Sequence, residues 1–484
     1  MPHREESKFR TIQSDTDLID VITEKAHLGT NQSEMDKRDT LTIYLTKKPE
    51  LSTTELSSIK ITMKFSNVIF NISSQDQFHL ASATLNKLHA IEFNSCTFNS
   101  TGILLNIPKN IKFHECNFLE EHSTSNNTFN SIESYREYEN CYFLKKVKCT
   151  DSEQNHSLLN NYTFINCNFK QDLDLSQDNK SIQITTNVQN YINIDIKHST
   201  FEKRFTLNDR EISNLDIEKS TFGEKIEIRR TNITEDFKLN SVKITDILDL
   251  YKCKISRFSI ERARFYGYVG FENCEFGNIG RPKESKPVTF TYATFEDILN
   301  FRDARFNDGL NIAMINAKVT PNFHGVYVKD KNSNRETFRI IKNALDSVGN
   351  HIEANKFYAL EMKKHHEEIK KSGRKQEIVI FFLNRIFSNF GQSYIQPMAW
   401  LIATSLLLLG ITELKESNLL YSIYLPANIY ISKFVGFFNN LALNVVPFKR
   451  FLIDGLEFLS LLFYVINITL IWLTITSIKR KTKR

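Results

Sequence analysis

The sequence predicts a mainly β protein, in which a solenoid of four-sided coils is followed by a helical hairpin and a pair of membrane-spanning helices. Two observations support this prediction. A repeat of ten to eleven residues runs from about residue 63 to about residue 328, and two long uncharged apolar runs lie near the end of the chain. Charged residues make up 24% of the 484 residues, which is typical of a folded protein. The apolar residues become denser after about residue 376, so we expect a polar part followed by a membrane part.

Each repeat unit reads apolar-x-apolar-x-x-small-x-apolar, as in IDIKHSTF (194–201) and LDIEKSTF (215–222). Apolar residues two positions apart lie on one face of a strand. The step of three between the two apolar pairs requires a corner, so each unit is predicted to form two short strands joined at a bend. Two such units, of ten to eleven residues each, then complete one four-sided coil of about 20–22 residues. The spacing does not fit the 3.6-residue period of a helix.

The sixth residue of each unit is small and is predicted to point into the coil. The residues predicted at this ladder position are Cys96, Cys116, Cys141, Cys167, Ser199, Ser220, Cys253, Ala263, Cys274, Ala293 and Ala304. Arg210 is a misfit at the same position. Since these residues share small volume, we interpret the cysteines as small buried hydrophobes. They form no CxxC pair and have no histidine at ligand spacing, so we predict no metal site. Cys149 lies outside the ladder and is predicted to be exposed.

The repeat resembles the pentapeptide-repeat family, although nearly every second face here carries six residues instead of five. The resemblance implies a right-handed quadrilateral β-helix with a small residue and a Phe or Leu pointing inward from each side. We place the β-helix at 61–328, after an N-terminal polar segment or cap at 1–60. Because each coil of about 21 residues advances the β-helix by one strand spacing of about 4.8 Å, the β-helix would be on the order of 60 Å long.

Beyond the β-helix the pattern becomes helical. Ser333 and Glu336 have the spacing of a capping box, and a helical hairpin is predicted at 333–372 as a cover for the solenoid end. The segment 377–390 is apolar but contains Arg385, which indicates a helix lying in the membrane interface.

Two uncharged apolar runs, 395–412 and 458–478, are long enough to cross a bilayer as helices. Basic residues flank their outer ends, at 370–375 and in the tail 479–484. Because basic residues concentrate on the cytoplasmic side of a membrane, both chain termini are predicted to be cytoplasmic.

The connection 418–448 between these runs is predicted to be interfacial or re-entrant, because Lys433 is its only charge. If copies of the chain assembled around an axis, three amides of this segment would be candidates to line a pore. These are Asn439, Asn440 and Asn444.

The order of these parts also resembles a bacterial group of membrane-anchored pentapeptide-repeat proteins. The likeness covers about residues 200–484 and includes FRIIKNALDSVGNHIEANKFYALEM (338–362) and FGQSYIQPMAW (390–400). The resemblance implies an integral protein of the bacterial inner membrane. It implies the order of the structural parts but no biochemical mechanism.

Three functions compete. We favour a non-enzymatic membrane-anchored scaffold whose rod docks a cytoplasmic protein partner of unknown identity. The alternative is a homo-oligomeric channel-like effector whose C-terminal hairpin forms a pore. A DNA-mimic inhibitor of gyrase is disfavoured because the net charge is +6, and no nucleic-acid partner is expected. The sequence contains no P-loop, G-x-S-x-G, HExxH or dinucleotide fingerprint, so we predict no catalytic residues and no cofactor.

Overall fold

The chain folds as two units, Met1–Ser333 and Asn334–Arg484. The computed structural model describes residues 10–12, 62–70, 90–99, 110–123, 135–148, 161–176, 192–277, 285–373, 375–416 and 457–482. The first unit is a parallel β-solenoid of about eight turns, and the second is helical.

The solenoid contains 33 strands among the described residues, most of them short. In chain order they are β1 (Arg10–Ile12), β2 (Thr62–Ser66), β3 (Val68–Phe70), β4 (Ala90–Asn94), β5 (Thr97–Phe98), β6 (Asn110–His114), β7 (Asn117–Phe118), β8 (His122–Ser123), β9 (Tyr135–Glu139), β10 (Tyr142–Phe143), β11 (Val147–Lys148), β12 (Asn161–Ile165), β13 (Asn168–Phe169), β14 (Leu173–Asp174), β15 (Asn193–Lys197), β16 (Thr200–Phe201), β17 (Phe205–Asn208), β18 (Glu211–Ile212), β19 (Asn214–Glu218), β20 (Thr221–Phe222), β21 (Ile226–Arg229), β22 (Asn232–Asn240), β23 (Lys243–Ile244), β24 (Leu248–Tyr251), β25 (Lys254–Glu261), β26 (Arg264–Phe265), β27 (Val269–Glu272), β28 (Glu275–Phe276), β29 (Val288–Phe295), β30 (Leu299–Asn300), β31 (Arg305–Phe306), β32 (Leu310–Ala317) and β33 (Tyr327–Val328).

One turn of the solenoid has four faces. Strands β15, β16, β17 and β18 occupy them in order, and β19, β20, β21 and β22 then pair with them in parallel. Asn193 pairs with Asn214, so this turn contains 21 residues, whereas the turn from Asn161 to Asn193 contains 32. The third face is a separate sheet of eight strands, from β8 to β30. The predicted β-solenoid with four-sided coils is confirmed.

The solenoid also includes a strand that the repeat did not predict. β1 pairs in parallel with β3, with Arg10 beside Val68 and Ile12 beside Phe70. We had placed these residues in the polar N-terminal segment, since three residues are too few to show a period. The rest of 1–60 lies outside the described residues.

Aromatic side chains fill the interior of the first coils. Two columns of rings run along the coil axis, with neighbouring centroids 4.5–5.3 Å apart and ring planes within 13° of parallel. The first column is Phe65, Phe93, Phe113, Tyr138 and Phe164, and the second is Phe70, Phe98, Phe118, Phe143, Phe169, Phe201 and Phe222. Such pairs add about 0.5–1.5 kcal/mol beyond the area they bury.

The corners of the coil have a fixed backbone conformation. Fifteen solenoid residues that are not glycine have φ between 47° and 58°, and each directly precedes an inward residue at the ladder position. They are Asn67, Ser95, Glu115, Asn140, Asn166, His198, Asp209, Lys219, Arg230, Ser241, Lys252, Arg262, Asn273, Tyr292 and Asp303. The left-handed conformation turns the chain sharply enough to change faces, which explains the three-residue step between apolar pairs.

The second unit contains five described helices. They are α1 (Arg335–Ser347), α2 (His351–Ser372), α3 (Lys375–Ser388), α4 (Ile395–Glu416) and α5 (Glu457–Thr482). Within the described residues, α4 and α5 each contain a stretch long and apolar enough to cross a membrane, at Ile395–Glu413 and Ser460–Thr482. The connection 418–448 lies outside the described residues, and so do Asn439, Asn440 and Asn444.

The predicted capping box of α1 is wrong by one residue. Asn334 caps the helix, and its side chain accepts a hydrogen bond of 2.8 Å from the Thr337 backbone N–H. The Ser333 hydroxyl instead donates to the Lys329 carbonyl and accepts from the Leu310 N–H. Asparagine is among the strongest N-cap residues, so the serine before it is free to stabilise the last solenoid coil.

Candidate functional site at the ends of the apolar helices

The two apolar helices are joined by a polar contact. Thr404 in α4 donates a hydrogen bond of 2.7 Å from Oγ1 to Oδ1 of Asn467 in α5, and Asn467 is fully buried. Leu408, Phe463 and Tyr464 form an apolar cluster within the same helix pair. Side-chain hydrogen bonds of this kind fix the partner and register of helices in an apolar medium. The α4–α5 pair therefore satisfies this amide within the chain.

The outward faces of the same two helices are apolar. Large exposed side chains are Met398, Trp400, Ile402, Leu406 and Leu407 on α4, and Leu461, Leu462, Val465, Ile468, Trp472, Ile475 and Ile478 on α5. Many large apolar side chains exposed on one helix pair mark a contact with a membrane or with another protein. The helix pair thus has a polar contact inside and an apolar exterior.

Arg480 in the last turn of α5 connects three parts of the helical unit. Its backbone carbonyl accepts a hydrogen bond of 2.9 Å from Asn355 Nδ2 in α2. Its Nη1 donates to the Phe390 carbonyl at 2.6 Å, and its guanidinium lies 4.8 Å from the Tyr358 ring centroid. We call the set Asn355, Tyr358, Phe390, Gly391 and Arg480 the junction. It ties α2 and the α3–α4 turn to the end of α5.

The α3–α4 turn is shaped to receive this arginine. Asn389, Phe390 and Gly391 have φ values of 46°, 58° and 80° in succession. A Cβ on Gly391 would lie 2.3 Å from Arg480 Nη1, and its φ of 80° is one that other residues rarely adopt, so glycine is favoured at this position. Gln392 then donates from Nε2 to the Asn355 carbonyl at 2.5 Å.

The junction joins the two stretches on which the resemblance to membrane-anchored pentapeptide-repeat proteins is based. Asn355 and Tyr358 belong to the first stretch (338–362), Phe390 and Gly391 to the second (390–400), and Arg480 to the basic tail. We had treated the tail only as a charge that orients the spans. Residues more than a hundred positions apart carry no local signal that they meet, although a glycine directly after a helical run was a clue to the turn.

The ladder residues predicted from the repeat all lie in the interior of the solenoid, each at most 2% exposed. Cys149 lies outside the described residues. Arg210, the misfit, is 4% exposed, and its Nε and Nη2 donate to the Leu175 and Ser176 carbonyls at 2.5 and 3.2 Å. The arginine is accommodated because backbone carbonyls of the preceding turn accept its protons.

The solenoid core also contains a buried polar cluster. His122 Nε2 lies 3.0 Å from the Tyr138 hydroxyl, and both side chains are buried together with Arg136. Burial, followed by the positive charge of Arg136, lowers the pKa of His122 to about 3. The imidazole is therefore neutral at physiological pH.

The outer surface of the third face bears a shallow cavity of about 360 Å³ lined in part by Lys225, Arg229, Asp249, Tyr251 and Tyr268. Its charges pair with one another, since Asp249 lies 3.1 Å from Lys225 and 2.6 Å from Arg229. Among the described residues, no three or more His, Cys, Asp or Glu side chains come together as a metal-binding group. The cavity thus offers paired charges and tyrosine rings.

Comparison with known proteins gives no relative. No family model matches the sequence, and no curated protein or solved structure matches it significantly. What defines the class of this protein is its fold, a parallel β-solenoid of about eight turns followed by helices of which two are apolar enough to span a membrane. That fold is consistent with a pentapeptide-repeat-like solenoid.

Proposed function

We propose that the protein is a non-enzymatic scaffold, anchored in the bacterial inner membrane by α4 and α5, whose solenoid docks a protein partner in the cytoplasm. The observation that carries the anchor is the Thr404–Asn467 hydrogen bond inside a helix pair whose outer faces are apolar. An amide left alone in hydrocarbon costs several kcal/mol, on the order of 2–7 by transfer measurements. Here it has a partner within the same chain.

The helix α3 supports the same arrangement. Val379, Ile380, Phe382 and Leu383 are exposed on its surface, and Phe387 contacts Trp400 of α4 with ring centroids 5.5 Å apart. An amphipathic helix joined to the start of a span fits the membrane interface, where its apolar side chains contact lipid. Lys479, Arg480 and Lys481 end α5, which supports a cytoplasmic tail by the positive-inside rule.

The smooth surface of the solenoid supports a docking role over a catalytic one. Its outward side chains form ion pairs between neighbouring coils, such as Lys112 with Glu137 at 2.8 Å and Arg257 with Asp236 at 2.6 Å. Rows of this kind present a regular polar surface to a partner.

The channel alternative draws on Asn439, Asn440 and Asn444, which lie outside the described residues. In the described spans, α4 and α5 pair Thr404 with Asn467 and expose large apolar side chains on their outer faces. A pore would need a polar surface turned toward an axis between copies. We therefore retain the anchored scaffold as the proposed function.

Two measurements test the proposal together. Membranes from cells expressing the full chain should keep the protein through an alkaline carbonate wash and release it only with detergent. The purified protein in planar bilayers should give no conductance above the lipid background. Release by carbonate would disprove the anchor, and reproducible channel steps would replace the scaffold with the channel.

A further inference from the structure

Four ladder cysteines are stacked in one column of the solenoid. Cys96, Cys116, Cys141 and Cys167 occupy the same corner in four successive turns. The flanking strands hold them in register, with Asn94 beside His114 and Thr97 beside Asn117, so that Cys116 lies directly above Cys96. The same applies to the next two steps of the column.

The thiols line up with a common orientation. Each sulfur donates a hydrogen bond to a backbone carbonyl of the neighbouring turn, at 3.3 Å for Cys116 to Phe93 and 3.5 Å for Cys141 to Phe113. Each also bonds a carbonyl two residues earlier in its own turn, at 3.4 Å in both cases. The S–H groups therefore point to the backbone. All four side chains are at most 2% exposed.

The general spacing of neighbouring β-strands matches a metal ion held in line between two sulfurs. Metal–thiolate bonds are about 2.3 Å long for zinc, so a metal in line between two sulfurs separates them by about 4.6 Å. Neighbouring strands lie about 4.7–4.9 Å apart. Thiolate sulfur is a soft ligand that selects soft ions such as Cu(I). Because the column extends in a line, two sulfurs and no more can meet one ion.

We propose that adjacent cysteines of this column bind a soft monovalent cation of the Cu(I) class, with Cys116 and its neighbour Cys141 as the ligand pair. The ion replaces the proton of Cys116, which leaves to solvent, and a lone pair of the Cys141 sulfur completes the coordination while that thiol keeps its proton. The complex is neutral, which an apolar interior requires. The sequence predicted no metal site because it was searched for ligands close together along the chain, whereas these residues are 25 positions apart.

The test compares two variants that keep the same number of thiols but differ in adjacency. Both carry Cys149→Ser, which removes the thiol outside the ladder. Both also carry Cys253→Ser, which breaks the second stacked pair, formed by Cys253 and Cys274 in neighbouring turns. Cys96→Ser with Cys167→Ser leaves Cys116 next to Cys141, the proposed ligand pair. Cys116→Ser with Cys167→Ser leaves Cys96 and Cys141 separated by a turn. Serine suits the site because Ser199 and Ser220 occupy the same column.

Each full-length variant is incubated with silver nitrate in chloride-free detergent buffer, desalted, and assayed for bound silver and for melting temperature. The adjacent-pair variant should retain one tightly bound ion per chain and melt at a higher temperature with silver, since an ion that binds only the folded state stabilises it. The separated variant should retain none and show no shift. Equal silver content in the two variants, or none in either, would overturn the proposal.

Discussion

The backbone carbonyl of Arg480, in the last turn of α5, accepts a hydrogen bond of 2.9 Å from the side chain of Asn355 in α2. The pair joins an apolar helix to a helix of the preceding hairpin, and the Arg480 side chain extends the link to the Phe390 carbonyl. The end of α5 is therefore a structural element of the helical unit as well as a positive charge.

Replacing this arginine should loosen the helical unit. Arg480→Ala removes the hydrogen bond to Phe390 and the contact with Tyr358, and we expect a loss of about 2 kcal/mol, the range for a hydrogen bond from a charged donor. Thermal unfolding of the full chain in detergent, with limited proteolysis of the α3–α4 turn, measures it. Lys481→Ala is the matched control, since Lys481 only approaches the Tyr394 ring at 5.0 Å. If Lys481→Ala lowered the stability as much as Arg480→Ala, the loss would come from the positive charge and not from the contacts of Arg480.

The contact between Thr404 and Asn467 should contribute measurable coupling. In a double-mutant cycle of Thr404→Ala and Asn467→Ala, we expect an interaction free energy of about 0.6–1.7 kcal/mol, the range for polar pairs in membrane helices. Thr469→Ala is the control, because its hydroxyl bonds only the Val465 carbonyl of its own helix. Strictly additive losses at 404 and 467 would contradict the observed hydrogen bond. Reversible unfolding in mixed micelles provides the free energies.

Acidification should destabilise the solenoid through His122. The unfolded chain binds a proton near pH 6.5, whereas the folded chain does so only near pH 3. The stability that this residue contributes is thus present above pH 6.5 and is lost as the pH falls, by about 1.4 kcal/mol per unit between these limits. His122→Gln should flatten this dependence. Denaturant midpoints between pH 7 and pH 4 measure it, and parallel curves for parent and variant would contradict a buried neutral imidazole.

The left-handed corners should tolerate glycine better than the present residues. Tyr292 is 62% exposed and has φ of 54°, so Tyr292→Gly should gain up to about 1 kcal/mol from relief of the left-handed conformation. Thr294→Gly, two residues later in β29, should lose about 0.5–1 kcal/mol because glycine is unfavourable within a strand. Calorimetric melting of both variants measures these changes in stability. A loss of stability at both positions would mean that the left-handed corner is not strained.

The solenoid was predictable from sequence because its cause is local. A period of ten to eleven residues fixes which side chains point inward, and the corner before Cys274 or Ala304 repeats in every turn. The junction was not predictable, because Asn355, Phe390 and Arg480 meet only after the helices pack. The cap of α1 was misplaced since Ser333 and Asn334 are both good caps, and only the packing of Ser333 against Leu310 decides between them.

The most direct test of the anchored scaffold is the topology of the two apolar helices. Reporters of cytoplasmic or external location are fused after Lys375, within 418–432, and after Arg484. If α4 and α5 both span the membrane, the three reporters should read inside, outside and inside. A middle reporter that reads inside would contradict the account, because α4 would then not cross the bilayer.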